Sequence, residues 1–288
     1  MNKNKIMIFW ELIIIISLIA VVFAVITDIK SREVPNWISF TLIAIGIFSK
    51  LIYSIINSDF SYIVYGIIGL LIGTFIGFIM YYTKQWGGGD AKLLIGLTTI
   101  FISYEGITLF NSNINIPFLF ILITNIIIFG GLYGMIYGLF LAIKNLDKFK
   151  EEWRKNKHPE IIIGIILLFI LPLIGIIFLK PLFYFTLILG IISLFLIVML
   201  EIARTVEKIC MYKKIPSKKL VEGDWIADDI KKGNKIIYKA KSIELKQKDI
   251  DNIIKNRIKE VLVKEGIPFI PGFLIGLVIS LVFGNWII

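Results

Sequence analysis

Two acidic residues stand where this chain passes between apolar runs and charged loops. Asp28 follows the first apolar run, in Thr27-Asp28-Ile29-Lys30-Ser31-Arg32-Glu33-Val34-Pro35-Asn36. Asp90 closes Gly87-Gly88-Gly89-Asp90, and Ala91 and Lys92 lead from it into another apolar run. An acid at a bilayer edge is costly and is retained for a task. Two carboxylates in one site cannot both ionise cheaply, so one keeps a proton near neutral pH. The ionised partner can then take a proton from water while the other polarises a carbonyl. That is amide hydrolysis needing neither metal nor cofactor. The glycines suit it, because a backbone without side chains lets a peptide strand come close.

Taken singly, each acid has an ordinary account. Asp90 at the head of a helix is an N-cap and the glycines a turn. Asp28 beside Lys30 and Arg32 is an interfacial ion pair. The paired reading requires both acids on one side of the membrane, so the elements that carry them decide.

Of 288 residues, 57% are hydrophobic, and mean hydropathy is +0.86. Several runs approach the roughly 20 apolar residues that cross a bilayer. The expected fold is an α-helical polytopic membrane protein of about eight transmembrane helices, with a small α/β cytoplasmic insert before the last. The spans are Ile6–Ile26, Trp37–Ile56, Ser61–Tyr82, Gly88–Tyr104, Ile116–Ile143, Ile161–Leu179, Leu182–Glu201 and Ile267–Ile287. The first is too long for a signal-peptide core and lacks a small-residue cleavage site, so it reads as a span. Asn57-Ser58-Asp59 and Asn111-Ser112-Asn113 are polar turns, and Lys180-Pro181 breaks the sixth span from the seventh. Trp10, Trp37 and Trp286 fall near span ends, where indole prefers the interface. Three parts follow: residues 1–203 as a membrane core, 204–266 as the insert, and 267–288 as a closing helix.

Lys30, Arg32, Lys84, Lys92, Lys144, Lys148, Lys150, Arg154, Lys155 and Lys157 share one side in this topology, against Lys3, Lys5, Lys50 and Lys180 on the other. The positive-inside rule makes the first side cytoplasmic and sends the insert there too. Asp28 and Asp90 therefore face the same inner surface. The net charge of +10 is this bias together with attraction to anionic membrane lipid. No recognition module for nucleic acid is visible.

One cysteine, Cys210, excludes an internal disulfide framework and a cysteine metal cluster. One histidine, His158, in a charged loop, reads as a surface residue and makes a metal site or a Ser-His-Asp triad untenable. In the insert, Leu220–Ile226 and Lys235–Leu245 alternate as short strands. Asp249–Val263 has helical apolar spacing. Gly69, Gly73 and Gly77, with Gly66 before them, put small residues on one helix face, for packing within the chain or at a homo-oligomer seam.

At this point the sequence resembles a known family. Gly87-Gly88-Gly89-Asp90 fits the GxGD signature of membrane-embedded aspartyl proteases. Asp28, Lys30, Arg32, Pro35 and Asn36 match the other half of the type IV prepilin peptidase pattern, and Lys92 suits it. The likeness is greatest to the archaeal preflagellin (archaellin) peptidases and covers roughly residues 6–110; Gly266-Ile267-Pro268-Phe269-Ile270-Pro271 adds a hint near the end. By resemblance Asp28 and Asp90 are the catalytic aspartates, Gly87 and Gly89 shape the loop holding Asp90, and Lys30 and Arg32 favour an ionised Asp28 as base. The implied substrate is a pilin-like or archaellin precursor whose short basic leader is cut at the cytoplasmic face, with no cofactor. Bacterial relatives that also methylate the new N-terminus carry paired Cys-x-x-Cys motifs, which this chain lacks, so N-methylation is not expected. Glu222, Asp224, Asp228 and Asp229 could hold the basic leader or form a solvated loop. The competing readings are an ion-coupled transporter binding a cation at the two acids and a non-catalytic pilus assembly protein. Transporters favour midplane acids, whereas these lie at the edge.

Overall fold

Long apolar runs, with backbone groups that a bilayer cannot satisfy, leave the chain little choice but helix. The computed structural model describes residues 3–104, 117–156, 158–178, 182–232, 235–240 and 245–284. Its helices are α1 (Lys3–Ser31), α2 (Asn36–Asn57), α3 (Ser61–Tyr82), α4 (Gly88–Phe101), α5 (Phe118–Lys144), α6 (Leu146–Lys155), α7 (Pro159–Phe178), α8 (Phe183–Val206), α9 (Gln247–Lys255) and α10 (Ile270–Phe283). Among the described residues, six helices are long and apolar enough to cross a membrane, carried by α1, α2, α3, α5, α7 and α8. The chain is a helical multi-pass membrane protein. The fourth and eighth expected spans appear as α4 and α10, each of 14 residues. At 1.5 Å per residue each is only about 21 Å long. α4 starts at Gly88 as expected but ends at Phe101, whereas α10 starts three residues late, behind Phe269. The Asn111–Asn113 turn, the Lys180-Pro181 break and Trp286 lie outside the described residues.

The Asn57-Ser58-Asp59 turn is present: Ser58 takes φ 52°, and the Asp59 carboxylate accepts the Ser61 N–H at 2.9 Å. The helix α6 was not expected. Its ten residues carry Phe149 stacked on Trp153 one turn later and a Lys155–Glu151 pair at 2.8 Å. Pairs at that spacing support a short helix.

Two compact units are present. One comprises Met1–Gly134, Pro216–Val261 and Glu265–Ile288. Its core is built from Ile38 and Leu42 of α2, Leu93, Leu97 and Phe101 of α4, and Phe273 and Leu277 of α10. The glycine face of α3 is filled by α4: Gly69 abuts the Thr98 carbonyl, Gly73 abuts Thr98 and Ile95, and Gly77 abuts Ala91. The stripe therefore packs within the chain.

The same unit holds most of the insert. The strands are β1 (Tyr212–Pro216), β2 (Trp225–Ile226), β3 (Ile230–Lys232), β4 (Lys235–Tyr238) and β5 (Glu260–Lys264). β3 pairs antiparallel with β4, Ile230 opposite Tyr238 and Lys232 opposite Lys235, and α9 buries Ile250 and Ile253. The helix expected over Asp249–Val263 stops at Lys255, because Arg257 turns into the left-handed region at φ 56°. Val261 and Val263 then alternate inward as strand β5, a two-residue period that overlapping β-branched residues had disguised as a helical one. The strand expected over Leu220–Ile226 is confined to β2, and that over Lys235–Leu245 to β4; residues 241–244 lie outside the described residues.

The other unit comprises Met135–Ile215 and Leu262–Lys264. There α7 packs along α8, with Gly190 against Leu168 and Gly164 against Leu194. His158 is not the surface residue expected. Its side chain is 10% exposed. Nδ1 lies 2.7 Å from the Glu201 carboxylate and Nε2 lies 2.9 Å from the Trp153 carbonyl, with the ring stacked on Trp153. A left-handed φ of 45° folds it back onto α6, and its acid partner lies 43 residues onward. No local pattern announces such a pairing.

A methyl at position 73 would run into Thr98 and the Ile95 backbone. Overpacking of this kind costs about 1–3 kcal/mol. Gly73→Ala should lower the thermal midpoint in detergent by several degrees, while Gly131→Ala, with open space around it, should leave it unchanged.

Candidate active site

The first acid sits inside a helix rather than after it. α1 runs on to Ser31, and the Thr27 and Ser31 hydroxyls donate back to carbonyls one turn earlier, at 3.0–3.2 Å for Thr27 and 2.9 Å for Ser31. Such back-bonding lets polar residues stay helical. Arg32 ends the helix at φ 61°, its N–H bonded to the Asp28 carbonyl at 2.9 Å. Asp28 is only 6% exposed. A carboxylate so placed must be met by donors. One oxygen, Oδ2, accepts the Ile270 N–H at 3.0 Å, from the first residue of α10.

The second acid sits in the first turn of α4. Gly87 is extended, α4 begins at Gly88, and Asp90 Oδ2 accepts the Gly87 N–H at 3.0 Å. The ordinary N-terminal role is thus real, an acid at the third helical position reaching back to the cap. The left-handed glycines among the described residues are Gly223 and Gly284, so the Gly87–Gly89 run is not there for a strained turn. Close approach explains Gly89: a Cβ there would stand 3.0 Å from Val34 Cβ and 3.3 Å from its backbone nitrogen.

That approach joins the two motifs. Val34 is buried against Gly89, and Lys92 Nζ donates to Asn36 Oδ1 at 2.8 Å. Pro35, with φ −56°, caps α2 and turns the chain between them. The structure therefore gathers Val34, Pro35 and Asn36 with Gly89, Asp90 and Lys92 at one end of their unit. Backbone N–H groups hold both carboxylates, those of Ile270 and Phe269 at Asp28 and that of Gly87 at Asp90. Lys30 and Arg32 are exposed. Arg32, four residues from Asp28, is the cation whose charge acts on it; Lys30, two residues away, sits on another helix face.

Four residues have places in the structure that the sequence did not announce. Trp86, immediately before the glycines, is buried with its ring centroid 5.8 Å from Phe269 and 5.1 Å from Phe273. Phe269 and Ile270 themselves belong to the pre-terminal Pro-Phe-Ile-Pro segment, whose odd composition was the available signal. Lys50, counted above among outer-side lysines, is 2% exposed within α2, bonded to Ser103 and 4.2 Å over the Trp10 ring.

Of the acidic patch, three members serve local turns. Glu222 accepts the Gln247 N–H at 2.9 Å, Asp224 that of Val221 at 2.9 Å, and Asp229 that of Ala240 at 2.6 Å. Gly223 between them takes φ 102°, which suits glycine alone.

Residues 13–143 match the type IV leader peptidase family, and this stretch contains both acids and every motif residue that surrounds them. The chain is 32% identical over 91 residues to a preflagellin peptidase of Methanocaldococcus jannaschii, covering 32% of this chain and 38% of that protein. It is 35% identical over 89 residues to the preflagellin peptidase of Methanococcus voltae, covering 31% and 38%. A prepilin peptidase, EppA, of Methanothermobacter thermautotrophicus is 26% identical over 161 residues, covering 52% of this chain and 42% of its own. The chain thus spans about two fifths of the length of these curated relatives. No solved structure matches it.

Burial pushes the Asp224 carboxyl above the ordinary aspartate range; the Val221 N–H opposes this and the nearby Glu265 adds to it. The folded turn then binds a proton more tightly than the unfolded chain, so its stability is greatest at low pH and falls as pH rises through the raised value. Hydrogen-exchange protection factors at Gly223 and Leu245, whose amides close this turn, should decline as pH rises above the ordinary aspartate range. Asp224→Asn should flatten that dependence.

Proposed function

We propose that the chain is a membrane-embedded aspartyl endopeptidase that removes the short basic leader of pilin-like or archaellin precursors. The observation that carries this reading is the meeting of the two motifs: Val34 on Gly89 and Asn36 on Lys92, with one acid on each side. The family assignment of residues 13–143 and the names of the relatives, preflagellin and prepilin peptidase, support it.

Asp28 and Asp90 are the catalytic pair. One, ionised, removes a proton from water as the oxygen attacks the scissile carbonyl. The other, protonated, donates to the carbonyl oxygen as it gains charge. Collapse of the tetrahedral gem-diol expels the new amino terminus, which takes the proton the base had gained, while one diol hydroxyl returns its proton to the other acid as the carboxyl forms, so the pair again shares one. Backbone N–H bonds hold both acids in place, at Asp28 from Ile270 and at Asp90 from Gly87. Gly87, Gly88 and Gly89 admit the substrate strand, and the Lys92–Asn36 bond keeps the motifs in register.

In this reading α4 and α10 complete eight crossings, and residues 204–266 form a cytoplasmic insert between a core of residues 1–203 and the closing helix. The enzyme lies in the cell membrane with its acids facing the cytoplasm, as the distribution of Lys and Arg supports. It acts without N-methylation.

Asp28→Asn and Asp90→Asn should each reduce cleavage of a co-expressed precursor by about 10²–10⁴-fold while inserting normally. Cleavage by the native chain should follow a bell-shaped pH profile, and a metal chelator should leave it unchanged. Leader removal that persists in either amide variant would contradict the reading.

A further inference from the structure

A carboxylate that acts as an acid or base must be held within about 10–20° of its productive direction. Asp28 ends a freely rotating side chain, so something must fix it. Ile270 supplies the stronger fixing bond, with the Phe269 backbone beside it. Its N–H is among the amides at a helix start that have no acceptor within the helix. Its place is set twice over. Pro271, next in the chain, constrains the first turn, and the Gly272 N–H closes that turn on the Phe269 carbonyl at 2.9 Å. Farther along, α10 lies backbone to backbone on α5: Gly272 abuts Gly130, and Gly276 abuts Ile126. The Asn125 amide donates to the Ser280 hydroxyl at 2.9 Å and pins the register.

The same helix start supports the second acid. Phe269 and Phe273 flank Trp86, and Trp86 leads directly into Gly87, whose N–H holds Asp90. One element therefore touches the supports of both carboxylates.

We propose that the amino end of α10 is the positioning element of the site, with the Ile270 N–H orienting the Asp28 carboxylate and the Gly272–Gly130 contact fixing where that N–H stands. This inference rests on the peptidase reading above. Ile270 and Gly272 are positioning residues, acting through Asp28 rather than on substrate.

The test is replacement of Ile270 by its α-hydroxy acid, which turns the amide into an ester and removes the N–H while keeping the side chain. Turnover is measured on a synthetic precursor peptide with a basic leader and an apolar helix, in detergent. The expected result is a loss of about tenfold or more in kcat with KM unchanged. Gly272→Ala, whose methyl meets the Gly130 backbone, should show the same split, and Gly131→Ala should behave as native. Asp28→Asn run alongside separates the two ideas. An inactive Asp28→Asn with native kcat in the Ile270 ester would overturn the positioning role and leave the peptidase reading standing. An active Asp28→Asn would sink both. A raised KM at native kcat would make α10 a substrate contact instead. Loss of both the ester and Gly272→Ala forms from the membrane would make the helix start a folding element, which also overturns the proposal.

Discussion

A carboxylate taken out of water at the end of a membrane helix has to be met by a donor, and in this chain the donor arrives 242 residues later. Asp28 is buried near the end of α1. The backbone at the start of α10, Ile270 with Phe269, reaches it. An unsatisfied polar group in such surroundings costs several kcal/mol, so the last helix and the first are bound to one arrangement. Much else in that unit follows from it. α10 must begin at the level of Asp28, which keeps it short. Its flank must pass close to α5, which explains glycine meeting glycine where a methyl would not fit.

The second acid is held by a different economy. Asp90 caps its own helix, a bond any acid at that position could make. What is particular is the neighbour: a Cβ on Gly89 would press against Val34 at 3.0 Å. The glycine run thus serves two needs, an approach between segments of this chain now and access for a substrate strand in the proposed reaction. The Lys92–Asn36 bond crosses the same gap and holds the two motifs in register.

What could be read beforehand was whatever is local. Hydropathy gave the long helices because a span of apolar residues has only one good solution in lipid. The paired motifs gave the two acids because each lies within ten residues of its own signature. Gly69, Gly73 and Gly77 announced a close-packed face, and α4 occupies it. What could not be read depends on distant partners. His158 looks exposed until Glu201, 43 residues on, is brought to it. Lys50 looks like a loop cation until Ser103 and Trp10 enclose it. Val261 and Leu262 continue the helical spacing of Ile254 and Ile258, yet Val261 and Val263 alternate inward as a strand after the left-handed turn at Arg257. Ile270 offers a backbone amide, which carries no sequence identity at all.

The central claim is that residues 28 and 90 meet, and proximity chemistry addresses it most directly. In a Cys210→Ser background, Asp28→Cys and Asp90→Cys would be combined and treated in native membranes with a short thiol-to-thiol reagent, beside an Asn36→Cys, Lys92→Cys reference pair. The account predicts that both pairs become linked. A reference pair that links while positions 28 and 90 never do would contradict it.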